Sequence, residues 1–291
     1  MNNVAFIGTG LLGAAMVERM LAQGDSVTVW NRTLSKTQSL QAAGAAVART
    51  AADAVAAADH LHLALTDDAI VDAVLAEVIP TMRRDAIVMD HSTTLPTATS
   101  ARAVRLAQAG VRFLHTPVFM SPLMCREGKG LIMVSGPASL FELTQAALAR
   151  MTGDVWFLGE RPDLAAAYKL FGNSMLFAIN AGLTDVLAMA KNLGVPGADA
   201  IALFSRFNTS MAIPMRGHKM AAGDFSAMFE LGMARKDVRL MIESAGDQPL
   251  LVLPALAARM DAAIAAGYGS HDLAAIAAPV VRGRAVGQTD K

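Results

Sequence analysis

The sequence predicts an α/β fold, a doubly wound parallel sheet over residues 1–160, followed by an all-helical domain over residues 161–291. Three observations carry this. Short apolar strands alternate with helix-forming stretches up to residue 159, a glycine-rich turn follows the first strand, and the chain beyond Pro162 has helical periodicity throughout. With 291 residues, 54% of them hydrophobic, the chain can bury the cores of two ordinary domains.

The first strand, residues 4–7, runs directly into Gly8-Thr9-Gly10-Leu11-Leu12-Gly13, and a helix over residues 11–22 leads past Gly24 to a strand at 26–30. A G-x-G-x-x-G turn between strand and helix inside a βαβ unit is the dinucleotide fingerprint of a Rossmann domain. Gly8 makes the tight turn, Gly10 admits a pyrophosphate, Gly13 lets helix pack on strand, and the helix N-terminus offers free N–H groups to phosphate. An NAD-selective domain places Asp or Glu at the end of the second strand. This chain reads Trp30-Asn31-Arg32-Thr33 instead. Arg32 suits adenine stacking and a 2′-phosphate, with Asn31, Thr33 and Lys36 as further donors, so NADP(H) is the expected cofactor.

The alternation continues with a helix at 42–58 and a strand at 61–65, closed by Thr66-Asp67-Asp68 as an N-cap cluster. A strand at 86–89 ends in Asp90-His91-Ser92-Thr93-Thr94, short polar residues where open α/β sheets bind ligands. Further strands are expected at 111–114, 131–134 and 155–158. His60 and His62 share a strand face without a carboxylate or thiolate set, so they read as structural and no metal is expected.

Gly159 to Pro162 breaks the pattern, and a long apolar helix over 163–193 follows. Lys169 and Asn173 lie one turn apart on it, and Asn180 and Thr184 continue roughly along that face. Lys169 reads in two ways: a lysine snorkelling to solvent, or a proton donor held in a cleft with Asn173 orienting a polar substrate. Gly194 and Pro196 end this helix, and others are expected at 198–207, 225–245, 251–266 and 271–278.

Equal numbers of basic and acidic residues, 25 each, give no net field toward nucleic acid or an anionic membrane, so a small-molecule substrate is the expected partner. Cys125, the single cysteine, excludes a disulfide framework. The opening residues enter a strand with no signal-type run, and charges, Asn or Gly interrupt the apolar stretches elsewhere; a cytoplasmic protein with no membrane span is expected. The apolar helical half implies a homodimer or homotetramer.

These motifs resemble the β-hydroxyacid dehydrogenases, a family that includes 3-hydroxyisobutyrate dehydrogenase, tartronate semialdehyde reductase and glyoxylate/succinic semialdehyde reductase. The resemblance covers nearly the whole chain and implies a 6-phosphogluconate dehydrogenase-like fold. Gly8 to Gly13 with Asn31-Arg32-Thr33 looks like the family's cofactor site in its NADP-preferring form, and Leu65-Thr66 like the loop near the ribose. Ser92-Thr93-Thr94-Leu95-Pro96 is similar to the segment near the nicotinamide. Lys169-Leu170-Phe171-Gly172-Asn173 matches K-x-x-x-N, which implies Lys169 as the catalytic lysine and Asn173 as substrate-orienting. Residues 229–237 match F-x-L-x-x-x-x-K-D, whose lysine, here Lys236, reaches the cofactor in the family. Gly267-Tyr268-Gly269-Ser270-His271-Asp272 resembles its closing G-x-G-x-x-D.

One segment departs from the family. Where the family has D-x-P-V-S-G-G, with a backbone turn that holds a substrate carboxylate, this chain reads His115-Thr116-Pro117-Val118-Phe119-Met120-Ser121-Pro122. Phe119 and Met120 make an apolar wall facing substrate, or they pack into the core while Ser121 takes over the anion. The expected function is an NADP(H)-dependent reductase of a hydroxy acid, semialdehyde or bulkier aldehyde or ketone. Imine reduction is the alternative, since imine reductases share the two-domain plan and an apolar M-x-P segment; they usually lack the lysine. A non-catalytic dinucleotide-binding or chromatin-reader-type relative is a third reading.

Overall fold

The computed structural model describes residues 3–281. The chain divides into two compact units, Met1–Asn173 and Ser174–Lys291. That division lies inside the helix Leu164–Asn192, whereas the break read from the sequence lies at the point where the chain leaves the sheet, at Gly159.

The first unit holds a nine-stranded sheet. Its strands are β1 (Asn3–Ile7), β2 (Ser26–Trp30), β3 (Ala46–Val47), β4 (His60–Leu63), β5 (Ile87–Asp90), β6 (Arg112–His115), β7 (Val118–Phe119), β8 (Leu131–Ser135) and β9 (Asp154–Gly159). They run in the order β3-β2-β1-β4-β5-β6-β8-β7, with β9 on the other side of β8. The pairings from β3 through β6 are parallel, while β8 runs antiparallel to β6 and β7. Order reverses between β1 and β4, the switch point at which doubly wound sheets open a ligand crevice.

The sheet is buried on both faces, as a parallel sheet requires. Phe6, Val29, Met89 and Val134 pack with Met16, Val17 and Leu148 on one face. Ile7, Leu61, Leu63 and Val88 pack with Val71, Val78 and Leu106 on the other. Each such side chain withdrawn from water contributes about 1.5–3 kcal/mol. Cys125 lies fully buried on the first face, and burial pushes its thiol up to about 11.

The helix expected over 42–58 is not continuous. Gly44 adopts φ +106, a short strand Ala46–Val47 pairs with β2, and a new helix Ala51–Val55 starts where the Thr50 hydroxyl accepts the Asp53 amide. Alanine content masks this break, because parallel pairing with β2 and a cap outweigh propensity. The helix expected from residue 225 begins only at Leu231.

In the second unit two buried carboxylates do what core packing alone cannot. Asp185, toward the C-terminal end of Leu164–Asn192, accepts the amides of Leu251, Val252 and Leu253 at 2.6 to 2.9 Å and so fixes the start of helix Leu253–Ala263. Burial raises its pKa, but those three amides outweigh burial and hold it below the usual range. Asp272 accepts the amides of Met228, Phe229 and Ala274 and pairs with Arg216 at 3.2 Å. Helix Leu231–Ala245 starts beside it, with the Leu231 and Gly232 amides taken by the carbonyls of His271 and Gly269. The apolar side chains Met175, Leu176, Phe177 and Ile179 stay exposed on the long helix. That helix is also long and apolar enough to cross a membrane, a property the sequence reading assigns to no stretch.

Asp185→Ala leaves three amides with no acceptor and is expected to cost about 3 kcal/mol. Urea unfolding measures this; an unchanged midpoint would show that water satisfies those amides equally well.

Candidate functional site

The glycine turn has the geometry of a phosphate cradle. Gly8 sits at φ +100, and a Cβ there would strike the Ala64 carbonyl; a Cβ on Gly13 would overlap the Gly8 carbonyl. Gly10 has open space around it and caps helix Leu11–Ala22 without any side-chain hydrogen bond, so first-turn N–H groups remain available. Thr9 is buried beneath, its hydroxyl without a partner among the described residues, while its amide donates to Asn31 Oδ1 at 3.1 Å. Asn31 Nδ2 donates to the Thr33 carbonyl at 2.9 Å, so Asn31 ties the glycine loop to the turn carrying Arg32.

Gly8, Gly10, Asn31, Arg32, Thr33, Leu65 and Thr66 line one cavity of about 290 Å³. Thr9, Leu11, Leu12, Gly13, Thr93 and Lys236 do not line it. The sequence reading misses its far wall, where Ile70, Ala73, Val74 and Glu77 line the cavity from helix Asp68–Val78. Their spacing of three, one and three residues, the face of a helix, is the signal that could have found them. Arg32 and Lys36 make no ion pair among the described residues, so both cations are available to an anion there. The residues fit a dinucleotide.

The loop after β5 is held tightly. Asp90 Oδ1 accepts the Ser92 amide, Ser92 Oγ accepts the Leu65 amide at 2.9 Å, and Asp68 Oδ2 accepts the Leu95 amide. Thr94 bonds Thr99 at 2.7 Å. Buried Arg102 fastens this loop from below by pairing with Asp68 at 2.8 Å and Asp72 at 2.6 Å. Ser92 is therefore buried and engaged, whereas Thr93 alone of this polar run is exposed. Histidines fill the space beneath: His62 Nδ1 lies 2.8 Å from His91 Nε2, and His91 Nδ1 lies 2.8 Å from the Thr116 carbonyl. Burial lowers all three of His62, His91 and His115, the last two to about 4.

Lys169 does not snorkel away. Ser135 Oγ donates to the Pro162 carbonyl and accepts the Ala165 amide, which seats the start of the long helix on β8. Lys169, one turn on and half-buried, donates from Nζ to the Val118 carbonyl at 2.7 Å. Its ammonium stands 4.1 Å from the Phe119 ring centroid, a cation–π contact. Burial lowers its pKa. The Phe119 ring occupies space that only the missing side chain of Gly172 leaves open. Phe119 and Met120 are half-buried, and Ser121 is exposed with its hydroxyl accepting the Met124 amide at 3.2 Å as a helix cap. Asn173 is half-buried, and its side-chain amide has no hydrogen-bond partner among the described residues. Asn180 and Thr184 spend their side chains on carbonyls of their own helix. Lys236 sits on helix Leu231–Ala245, paired with Asp237 at 3.0 Å.

A family model for the NAD binding domain of 6-phosphogluconate dehydrogenase matches residues 3–159. The chain belongs to that family. This agrees with the resemblance to the β-hydroxyacid dehydrogenases, and the cofactor class is a nicotinamide dinucleotide. The cytokine-like nuclear factor N-PAC of Drosophila melanogaster is 29% identical over 280 residues, which cover 93% of this chain and 46% of that protein. The chain thus spans about half the length of the curated relatives it matches. In fold it is similar to an imine reductase from Myxococcus stipitatus in complex with NADP+, at TM-score 0.88 and 22% identity, covering 94% of this chain and 98% of that one. A variant of that enzyme in complex with NAD+ gives TM-score 0.85 and 21% identity, covering 96% and 99%.

Gly172→Ala pushes a methyl into the Phe119 ring and is expected to cost about 1–3 kcal/mol, as overpacking does. Phe119→Ala in the same chain should relieve part of that cost. A double-mutant cycle on thermal unfolding measures the coupling, and strictly additive losses would mean the two residues do not share this space.

Proposed function

We propose that the protein is an NADP(H)-dependent reductase acting on the carbonyl of a hydroxy-acid precursor, a semialdehyde or a bulkier aldehyde or ketone. The observation that carries this reading is Lys169, a half-buried ammonium anchored on the Val118 carbonyl rather than on a carboxylate. A carboxylate would hold the proton; a carbonyl orients the amine and leaves its other N–H groups for substrate. The bound nicotinamide would supply the hydride. Lys169 then stabilises the charge that develops on the carbonyl oxygen and delivers its proton there. Asn173, one turn on with a side-chain amide unpartnered among the described residues, orients the substrate. Phe119 and Met120 supply an apolar wall in place of a carboxylate-binding glycine turn, favouring substrates with less polar bodies. Glycines 8, 10 and 13 with Thr9 cradle the pyrophosphate, Leu65, Thr66 and Thr93 line the way to the nicotinamide, and Arg32 with Lys36 takes the 2′-phosphate.

Lys236, the exposed apolar face of the long helix and assembly into a dimer or tetramer belong to the same reading. The buried carboxylate of Asp185 on that helix, bound to three amides, supports a soluble bundle over a membrane span. Imine reduction is the second reading, favoured by the Phe119-Met120 wall.

The first test follows loss of NADPH absorbance with semialdehyde acids, bulkier aldehydes and cyclic imines, using wild type and Lys169→Ala. Aldehyde or keto-acid turnover that the variant loses by at least about a hundredfold supports the reading, since general acids contribute on that order. Turnover of imines alone, or a fully active variant, moves imine reduction ahead; cofactor binding without any turnover favours a binding module. Because Lys169 must be protonated to donate, the reductive rate falls as pH rises through its pKa. Burial sets that fall below the ordinary lysine value of 10.5. Separately, Arg32→Ala should raise KM for NADPH about tenfold, the worth of one charged hydrogen bond, and leave NADH unchanged. Equal effects on both would remove Arg32 from 2′-phosphate recognition.

A further inference from the structure

The segment Thr116-Pro117-Val118 carries the acceptor for Lys169, and its three carbonyls point alternately to opposite sides, as in any extended strand. The Pro117 carbonyl accepts the Met133 amide at 3.0 Å, which fastens one edge to β8. The Thr116 and Val118 carbonyls share the other edge. Val118 accepts Lys169 there, and Thr116 accepts His91. Pro117 offers no N–H, and on the edge it shares with His91 the stretch is tied by the Thr116 amide, which donates to the Asp90 carbonyl at 2.7 Å.

A carbonyl can only accept, so His91 Nδ1 carries the proton and donates to Thr116; Thr116 Oγ1 lies 3.0 Å from the same nitrogen. His91 Nε2 is then unprotonated and accepts from His62 Nδ1–H at 2.8 Å. Both rings are nearly or fully buried, and Phe6 stacks on them at centroid distances of 5.9 and 6.4 Å. The tautomer and orientation of His91 are thus fixed from both sides. Asp90, its chain neighbour, is the charged group nearest in sequence, and its Oδ1 is taken by the Ser92 amide.

We propose that His91 is a positioning residue for Lys169: by holding the Thr116 carbonyl it sets the direction of the Val118 carbonyl two residues on, and so the place of the ammonium. This rests on the reading of Lys169 as proton donor for its catalytic consequence alone. The placement of the amine is measurable without turnover.

The chain has seven lysines, few enough for the Lys169 side chain to be assigned by NMR through its absence in Lys169→Arg. Its ¹³Cε shift is titrated in wild type, His91→Phe, His91→Asn and His91→Gln. An Asn amide nitrogen superposes on Nδ1 and keeps the donor; a Gln amide reaches the Nε2 position and does not. Losing the aligned acceptor while staying over Phe119 lowers the lysine midpoint by about one pH unit in His91→Phe and His91→Gln, with His91→Asn near wild type. Should His91→Phe fail to fold, the Asn and Gln pair gives the same comparison. A folded His91→Phe or His91→Gln protein with an unchanged or raised midpoint, or an Asn variant no different from Gln, overturns the proposal. If instead the midpoint moves as expected while Lys169→Ala retains turnover, the proton-donor reading fails and the positioning role stands.

Discussion

An ammonium withdrawn from water needs an acceptor, and this chain gives Lys169 a main-chain carbonyl. Much else follows from that choice. The carbonyl sits at a strand edge, on a β7 that is two residues long and pairs with β8 on one side. The helix bearing the lysine must approach that edge closely, and Gly172 permits this by leaving room for the Phe119 ring. The ring in turn shields the amine from water, and that burial lowers its pKa.

Around this point several polar side chains of the first unit's loops hold neighbouring segments together. Ser92, Asn31, Ser121 and Asp68 all hold main-chain groups of neighbouring segments. Near the candidate site, Thr9 Oγ1 and the side chains of Arg32, Lys36, Thr93 and Asn173 have no hydrogen-bond or ion-pair partner among the described residues. A rigid frame with few free donors selects its ligands by where those donors stand.

The Rossmann half was legible because its signals are local: strand, glycine spacing and helix follow one another within about one βαβ unit. Lys169 was legible as a charge on an apolar helix, and the wall at Phe119 as a departure from expected glycines. Less legible were features made by residues far apart in sequence. Nothing near Phe119 announces Gly172, and nothing near Thr116 announces His91, which reads as one polar residue among five. The continuous helix expected over 42–58 failed for a different reason: its alanines fit a helix, but pairing with β2 gave Ala46 and Val47 a better use. Ser92 reads as a ligand group because hydroxyls after a strand often are, and only the fold reveals that its oxygen also accepts the Leu65 amide.

Cys125 has a practical bearing. Its sulfur is closed off from solvent and stays protonated at neutral pH, so it reacts slowly with thiol reagents. As it is the sole cysteine in the chain, a spectroscopic label aimed at thiols would go to whichever surface position was newly given one. Distances between such labels on the two units could then be followed as cofactor is added, with the native sequence otherwise intact.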